Sequence, residues 1–186
     1  MRDVIEIRTD RLRLRELRVS DGARVAHYAG DPAVARMIAR APIPYLEAAA
    51  EGWIMIVRAR APKGEDFVYA IEREGEGLIG VVGAHRKNDD AFDVGYWIGR
   101  PFWGQGYATE ALHGFLSEAR GLGALEAGHF IDNPASGRVL EKAGFAYTGE
   151  TAPLFSLARG QSALCKRMRY EPKARVLEPA ADAAAA

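Results

Sequence analysis

Gly95-Tyr96-Trp97-Ile98-Gly99-Arg100-Pro101-Phe102-Trp103-Gly104-Gln105-Gly106-Tyr107-Ala108-Thr109-Glu110-Ala111 decides how the chain is read. It opens as the end of a strand, Phe92 to Ile98, with Gly95 inside it. A glycine there marks a bulge or a place where another backbone or a ligand comes close. It closes as a helix: Ala108, Ala111, Leu112, Phe115, Leu116 and Ala119 recur at helical spacing, the strongest such signal in the sequence. Between them Gly104 and Gly106 allow a sharp turn, and the first helical amides have no partner inside the helix. Such a loop aims several N–H groups and the positive end of a helix dipole at one point, where a pyrophosphate fits. A tight turn with small residues for packing fits the same residues, and this segment alone leaves both readings open. A Walker-type loop is ruled out by the missing Gly-Lys-Ser/Thr. A dinucleotide fold fits poorly too, because Thr109 stands where its third glycine belongs and Gly99 to Trp103 separate the loop from the strand.

Upstream, Phe67 to Glu72, Gly77 to His85 and Ala91 to Ile98 read as three strands joined by polar turns. In the opening segment Ile7, Leu12, Leu14 and Leu17 interleave with Arg11, Arg13 and Arg15, which predicts one strand with a wet face. Ser20-Asp21 offers a cap for a helix over Ala23 to Ala29, and Asp31-Pro32 starts a short helix running through Ile38. Leu46, Ala49, Ala50, Trp53, Ile54 and Val57 mark one buried helical stripe. Downstream, Ala124 to Ile131 reads as a strand and Asn133 to Ala143 as a helix. Asn133 suits its N-cap, Pro134 its first position and Gly144 its stop. Phe145 to Thr148 and Leu164 to Tyr170 read as closing strands. The order predicts an α+β fold, a mixed sheet with helices on both faces, in one domain over residues 1–170. Residues 171–186 read as a flexible Ala/Pro-rich tail.

A chain of 186 residues buries one full core and is too short for two ordinary domains. Lys plus Arg and Asp plus Glu both number 25, a balance that argues against a nucleic-acid partner. No run approaches the roughly 18 apolar residues of a membrane helix, and the start Met1-Arg2-Asp3-Val4-Ile5-Glu6 lacks the apolar core of a signal peptide. Cys165 is the single cysteine, so no intrachain disulfide is expected, and cytoplasmic residence is the default. The four histidines show no metal-ligand spacing, so no metal is expected.

Together and in this order, Gly95 to Ala111 and Asn133 to Phe145 resemble the GNAT superfamily of CoA-dependent N-acetyltransferases. The narrower likeness is to its ribosomal-protein-alanine N-acetyltransferase-like (RimJ/RimL-like) branch, whose first strand is similar to Glu6 to Arg15. The likeness runs from about Glu6 to Tyr170. It implies a mostly antiparallel sheet splayed at the cofactor strand, with acetyl-CoA as acyl donor and an amine as acceptor; a homodimer is plausible from the family. Backbone groups of Tyr96, Trp97 and Ile98 would pair with the pantetheine arm, and amides of Gly104, Gln105, Gly106, Tyr107, Ala108 and Thr109 would hold the pyrophosphate. Asn133 would bond the arm near the thioester, with Arg138 assisting at the phosphates. The sequence departs from the superfamily at Trp103, where Gln or Arg is usual, and at Leu140, where a tyrosine often serves as acid.

Attack by a neutral amine on a thioester requires a base, an oxyanion donor and a proton for the leaving sulfur. A backbone N–H near Tyr96 or Trp97 is the natural oxyanion donor. Ser136, one turn into the late helix, is the best remaining proton donor, as the branch also suggests. Asp93 is the first candidate base, on the same side of the pleat as Trp97, with His129 and Glu150 behind it. The favoured acceptor is a protein or peptide N-terminal α-amine. The alternatives are a small-molecule amine, including an antibiotic, and a non-catalytic CoA-binding sensor. A polycationic antibiotic calls for an acid-lined site, yet Ser20 to Arg60 holds five Arg against four Asp and Glu.

Overall fold

Apolar strands joined by polar turns organise the middle of the chain. In a computed structural model that describes residues 6–88 and 90–170, β3 (Asp66–Arg73), β4 (Gly77–Arg86) and β5 (Ala91–Ile98) form the expected antiparallel meander. The expected tail from residue 171 lies outside the described residues.

The opening segment differs from its reading. It is a hairpin of β1 (Ile7–Arg8) and β2 (Leu12–Glu16), with Ile7 opposite Leu14. Thr9 makes the turn: its Oγ1 accepts from the Leu12 N–H at 3.1 Å and donates to Glu110 at 2.6 Å. Local side-chain bonds of this kind compete with a continuous ladder. Nor is the arginine face wet throughout, since Arg15 is buried in an ion-paired cluster.

Helices α1 (Gly22–Ala29) and α3 (Glu47–Arg60) form where the periodicity puts them, but α2 (Pro32–Ala35) is one turn only. In α3 the buried stripe narrows to Ala50, Ile54 and Val57, and Leu46 faces solvent. Then follow α4 (Tyr107–Glu118), β6 (Ala124–Phe130), α5 (Pro134–Ala143), β7 (Phe145–Ser156) and β8 (Gln161–Tyr170). The last hairpin is longer than its sequence suggests. β7 is an edge strand, exposed along most of its length, and its register shifts between Tyr147 and Thr151 around left-handed Gly149. An exposed edge needs no alternation and tolerates Pro153, so its pattern is hard to see.

The eight strands lie in the order β1-β2-β3-β4-β5-β6-β8-β7, and every neighbouring pair is antiparallel except β5–β6. One face buries Leu14, Ile71, Ile79 and Val94 against Leu112, Phe115 and Leu116 of α4 and Leu140 of α5. The other buries Val68, Ala70 and Val81 against Val25 of α1 and Ile54 and Val57 of α3. Helices therefore cover both faces, and α4 and α5 both start where parallel β5 and β6 end.

The Arg15 guanidinium ties β2 to the start of α1. It reaches both Asp21 oxygens at 2.8 Å and also pairs with Glu72 of β3. Burial alone pushes the Asp21 carboxyl up, but hydrogen bonds from Arg15 and the Arg18 amide prevail and hold it below its usual value. Burial likewise raises Glu72, and Arg15 and Arg13 outweigh it. Carboxyls depressed in the folded state stabilise it above their unfolded values, about 3.9 and 4.3. That contribution is lost as pH falls through the lower folded values. Asp21→Asn should cost roughly 3 kcal/mol at pH 7 and flatten the loss of stability below about pH 4, as measured by urea unfolding across pH.

Candidate active site

The parallel ladder between β5 and β6 is four residues long, from Ala91↔Ala124 to Val94↔Ala127. Beyond Val94, β5 keeps its register with β4 through Gly83↔Gly95 to Gly80↔Ile98, while none of Gly95 to Ile98 pairs with β6. The opening is therefore one-sided, with no register shift toward β4 at Gly95. A side chain at Gly95 would meet no heavy atom within 4 Å, unlike one at Gly80 or Gly83, which would strike neighbouring backbone within 2.5 Å. Gly95 faces free space beside the splay.

The chain after β5 fills part of this opening and shapes its rim. Trp103, standing where a polar side chain was expected, donates its indole Nε1–H to the Ile98 carbonyl at 2.6 Å. One backbone acceptor of the splayed strand is thus satisfied internally, which leaves Tyr96 as the better part of the expected backbone edge; Trp97, next in the ladder, turns its carbonyl to β4 at Gly80. Gly104 and Gly106 both have left-handed φ, +74° and +83°, and Gly106 is the N-cap of α4. No side chain caps that helix start, so its first amides are directed at the loop. Tyr107 is buried in the core, whereas Gly104, Gln105 and Gly106 are exposed and Ala108 and Thr109 half-buried. Backbone, not side chains, is what this loop offers.

A clamp absent from the sequence reading fixes the loop from below. Glu110, in the first turn of α4, accepts from the Thr9 hydroxyl at 2.6 Å, the Arg11 amide at 2.8 Å and Arg11 Nε at 2.7 Å. Arg11 Nη1 also donates to the Gln105 carbonyl at 3.0 Å, and its guanidinium lies 4.5 Å from the centre of the Tyr107 ring. The β1–β2 turn and the glycine loop are thus tied together. Burial raises the Glu110 carboxyl, but its bonds to Thr9 and Arg11 outweigh that and hold it down. The acid at a helix N-terminus was visible in the sequence, but its partner, about a hundred residues upstream, was not.

The second rim is α5. Asn133 accepts from the Ser136 N–H at 3.2 Å, the expected cap, which engages Oδ1 and leaves Nδ2 to donate elsewhere. Ser136 Oγ lies 2.7 Å from the Tyr96 hydroxyl, which also reaches the Ser136 carbonyl at 3.0 Å. Tyr96 therefore bridges the splayed strand and α5 with its side chain, a contact missed when only its backbone was considered. Leu140 is buried in the core, and Arg138 is exposed on α5.

The candidate bases are each engaged or distant. Asp93 sits on the paired part of β5, opposite Glu126, and its Oδ1 takes Arg167 Nη2 at 2.8 Å; half its side chain is exposed. His129 is buried, with Nδ1 2.9 Å from the Phe130 carbonyl and Nε2 2.9 Å from the Tyr147 hydroxyl. Glu150 is exposed on edge strand β7. Burial pushes the Cys165 thiol up, away from nucleophilic use. Among the described residues no group of three or more His, Cys, Asp and Glu could hold a metal, and no helix is long and apolar enough to cross a membrane.

A split parallel pair beside an uncapped glycine loop is the geometry the resemblance implies, and the family signature agrees: the acetyltransferase (GNAT) domain matches residues 11–146. The chain belongs to the GNAT acetyltransferase family. It is thus an acetyl-CoA-dependent N-acetyltransferase. This GNAT protein is 31% identical over 150 residues to the N-acetyltransferase YoaA of Bacillus subtilis (strain 168), covering 77% of this chain and 84% of the relative. It is 27% identical over 149 residues to the N-acetyltransferase p20 of Bacillus licheniformis, covering 76% and 82%. In fold it is similar to RimL, a ribosomal L7/L12 alpha-N-protein acetyltransferase solved with coenzyme A. The TM-score is 0.76 at 18% identity, over 89% of this chain and 97% of that one.

Acetyl-CoA at a hundredfold excess over its dissociation constant should stabilise the protein by ~2.7 kcal/mol, read as a thermal shift, with no comparable response to NAD or ATP. Gly106→Val should fold and lose most of that shift. A β-branched residue is strained at φ +83°, and its Cβ would lie 3.4 Å from Arg11 Nη2, crowding the loop. An unchanged shift in a folded variant would make the loop purely structural.

Proposed function

We propose that this GNAT enzyme transfers acetyl from acetyl-CoA directly to the α-amine of a protein or peptide N-terminus. The cofactor half rests on one observation, the β5–β6 ladder that ends at Val94 beside the amides of the α4 start. In this reading the Tyr96 to Ile98 backbone takes the pantetheine arm as a neighbouring strand would, through the Tyr96 groups that face the gap, and Gly104 to Thr109 hold the pyrophosphate. Arg138, exposed on α5, assists at the phosphates. Asn133 Nδ2 bonds the arm near the thioester, a backbone N–H of the splayed strand receives the oxyanion, and Ser136 gives the leaving sulfur its proton.

The acceptor half rests on the bases. Asp93 carries Arg167 on one oxygen and has half its side chain in solvent, so it takes a proton through water rather than in a desolvated pocket. Such a carboxylate is a weak base. An α-amine, with a pKa of about 8, is already neutral in roughly a tenth of molecules at pH 7, whereas lysine at about 10.4 is neutral in about 0.04%. The weak base suffices for the first and not for the second. The activity of RimL, an alpha-N-protein acetyltransferase of ribosomal L7/L12, supports the same choice, as does the sequence likeness to the RimJ/RimL-like branch.

This reading places the enzyme in the cytoplasm and allows a homodimer of the kind the family resemblance makes plausible, which sedimentation would reveal. Its decisive test is mass spectrometry of products from a peptide panel bearing both a free N-terminus and internal lysines. Acetylation should fall on the N-terminal nitrogen, with one CoA thiol released per acetyl transferred. Modification confined to lysine would overturn the acceptor, and an acetylated small amine with untouched peptides would favour a small-molecule substrate.

A further inference from the structure

Ser136 has a difficulty as an acid that the structure resolves. A serine that gives its proton to sulfur is left as an alkoxide, about as basic as hydroxide and far more basic than a thiolate. Something must supply the serine with a second proton in the same event. The Ser136 hydroxyl has one side-chain neighbour within hydrogen-bond distance among the described residues, the phenol of Tyr96 at 2.7 Å.

We infer that Tyr96 is a proton-relay residue acting through Ser136, so that the acid serving the leaving thiolate is the Tyr96–Ser136 pair. The inference rests on the acetyl-transfer reading and on Ser136 as the donor to sulfur. Tyr96 projects from the unpaired stretch of β5 and meets the first turn of α5, the two rims between which the thioester lies in that reading.

Its single proton has two acceptors, the Ser136 carbonyl at 3.0 Å and Ser136 Oγ at 2.7 Å. While Tyr96 donates to the carbonyl, the serine proton is held by the phenol oxygen. When Tyr96 turns its proton to Oγ, the serine proton is released toward the slot. Only a hydroxyl rotation separates the two arrangements, and neither moves backbone.

The step balances. As the tetrahedral intermediate collapses, the C–S bond breaks and its electron pair stays on sulfur. Sulfur takes the Ser136 proton, Ser136 Oγ takes the Tyr96 proton, and the phenolate is reprotonated from water to which the amine has given its own proton. The net transfer is from nitrogen to sulfur. Burial pushes the Tyr96 phenol up to about 12, with the Ser136 bond opposing. A phenolate at that value is still easier to form than an alkoxide by roughly three to four powers of ten. A buried phenol also keeps its proton at neutral pH until the serine asks for it.

A purely structural Tyr96 would pin α5 to β5, and its loss would loosen cofactor binding. The experiment compares the unaltered protein with Tyr96→Phe, Ser136→Ala and the double variant. Calorimetry reads CoA affinity, and single-turnover thiol release reads transfer from acetyl-CoA to the best acceptor peptide of the panel. Tyr96→Phe should keep CoA affinity within about twofold while thiol release falls by about two orders of magnitude, the lower end of general acid effects. Ser136→Ala should fall equally and the double variant no further, because the pair acts as a unit. In H2O/D2O mixtures the rate of the unaltered protein should curve with deuterium fraction, as two protons in flight require, and become linear in Tyr96→Phe. Full-rate release by Tyr96→Phe, losses that multiply in the double variant, or a matching loss of CoA affinity would overturn the relay and leave acetyl transfer standing. Failure of the unaltered protein to release thiol with any amine would overturn the transfer reading and the relay with it.

Discussion

Backbone polar groups removed from water must find partners, and the molecule is organised around one place where the sheet declines to provide them. β5 and β6 pair for four residues and then part, leaving Gly95 to Ile98 bonded on the β4 side alone. Parallel strands are joined by a crossover, here α4, so both strands point the same way and both following helices begin at the gap. Ligand sites lie outside the carboxyl ends of parallel strands for this reason. One carbonyl in the gap, that of Ile98, is met by the Trp103 indole, and the rest of the edge is available to an extended ligand.

An open edge of this kind is useful only if its rims stay put, and each rim is held by long-range polar contacts. The glycine loop would be soft by itself, since two left-handed glycines carry little conformational restraint. Glu110 stiffens it by gathering Thr9 and Arg11 from the far edge of the sheet, and Arg11 passes the constraint to the Gln105 carbonyl. Farther along, Asp132 at the end of β6 binds Arg36 at 2.7 Å and Arg159 at 2.9 Å. It thereby ties the α2 region and the β7–β8 turn to the same side of the opening. The exposed Arg–Asp contacts are individually weak. Their value lies in orientation: each fixes a loop whose local sequence specifies no single conformation.

The elements legible in the sequence were those whose signal is local. The period of α4, the cap and stop of α5 at Asn133 and Gly144, and the apolar runs and polar turns of β3 to β5 all follow from nearest neighbours along the chain. The signals that failed were long-range or featureless. Thr9 breaks the first strand because of a partner on α4, Arg15 is buried because Asp21 and Glu72 surround it, and β7 hides because an exposed edge carries no alternation. The site divides the same way. Gly104, Gly106 and Asn133 read equally well as turn and cap residues and gained a site role only from the resemblance, while the engagement of Asp93 by Arg167 and of Tyr96 by Ser136 joins residues 74 and 40 positions apart. The family resemblance located the site, and no spacing rule foretold those two contacts.

Leu140 shows how these constraints combine. The position seven residues beyond Asn133 lies on the inner face of α5, fully buried against the core with Met168 and Phe145. A phenol there would need room and a polar partner, and a buried hydroxyl without one costs free energy. The chain instead fills this position with an aliphatic side chain and keeps its phenol on the opposite rim, at Tyr96, where Ser136 and its carbonyl satisfy the hydroxyl. Moving the phenol from helix to strand shortens what the helix must supply to a single small hydroxyl in its first turn. That turn is held by the Asn133 cap and by Pro134 at its first position. The polar group nearest the proposed thioester thus sits on a capped first turn, and the bulky phenol behind it comes from the splayed strand on the opposite rim.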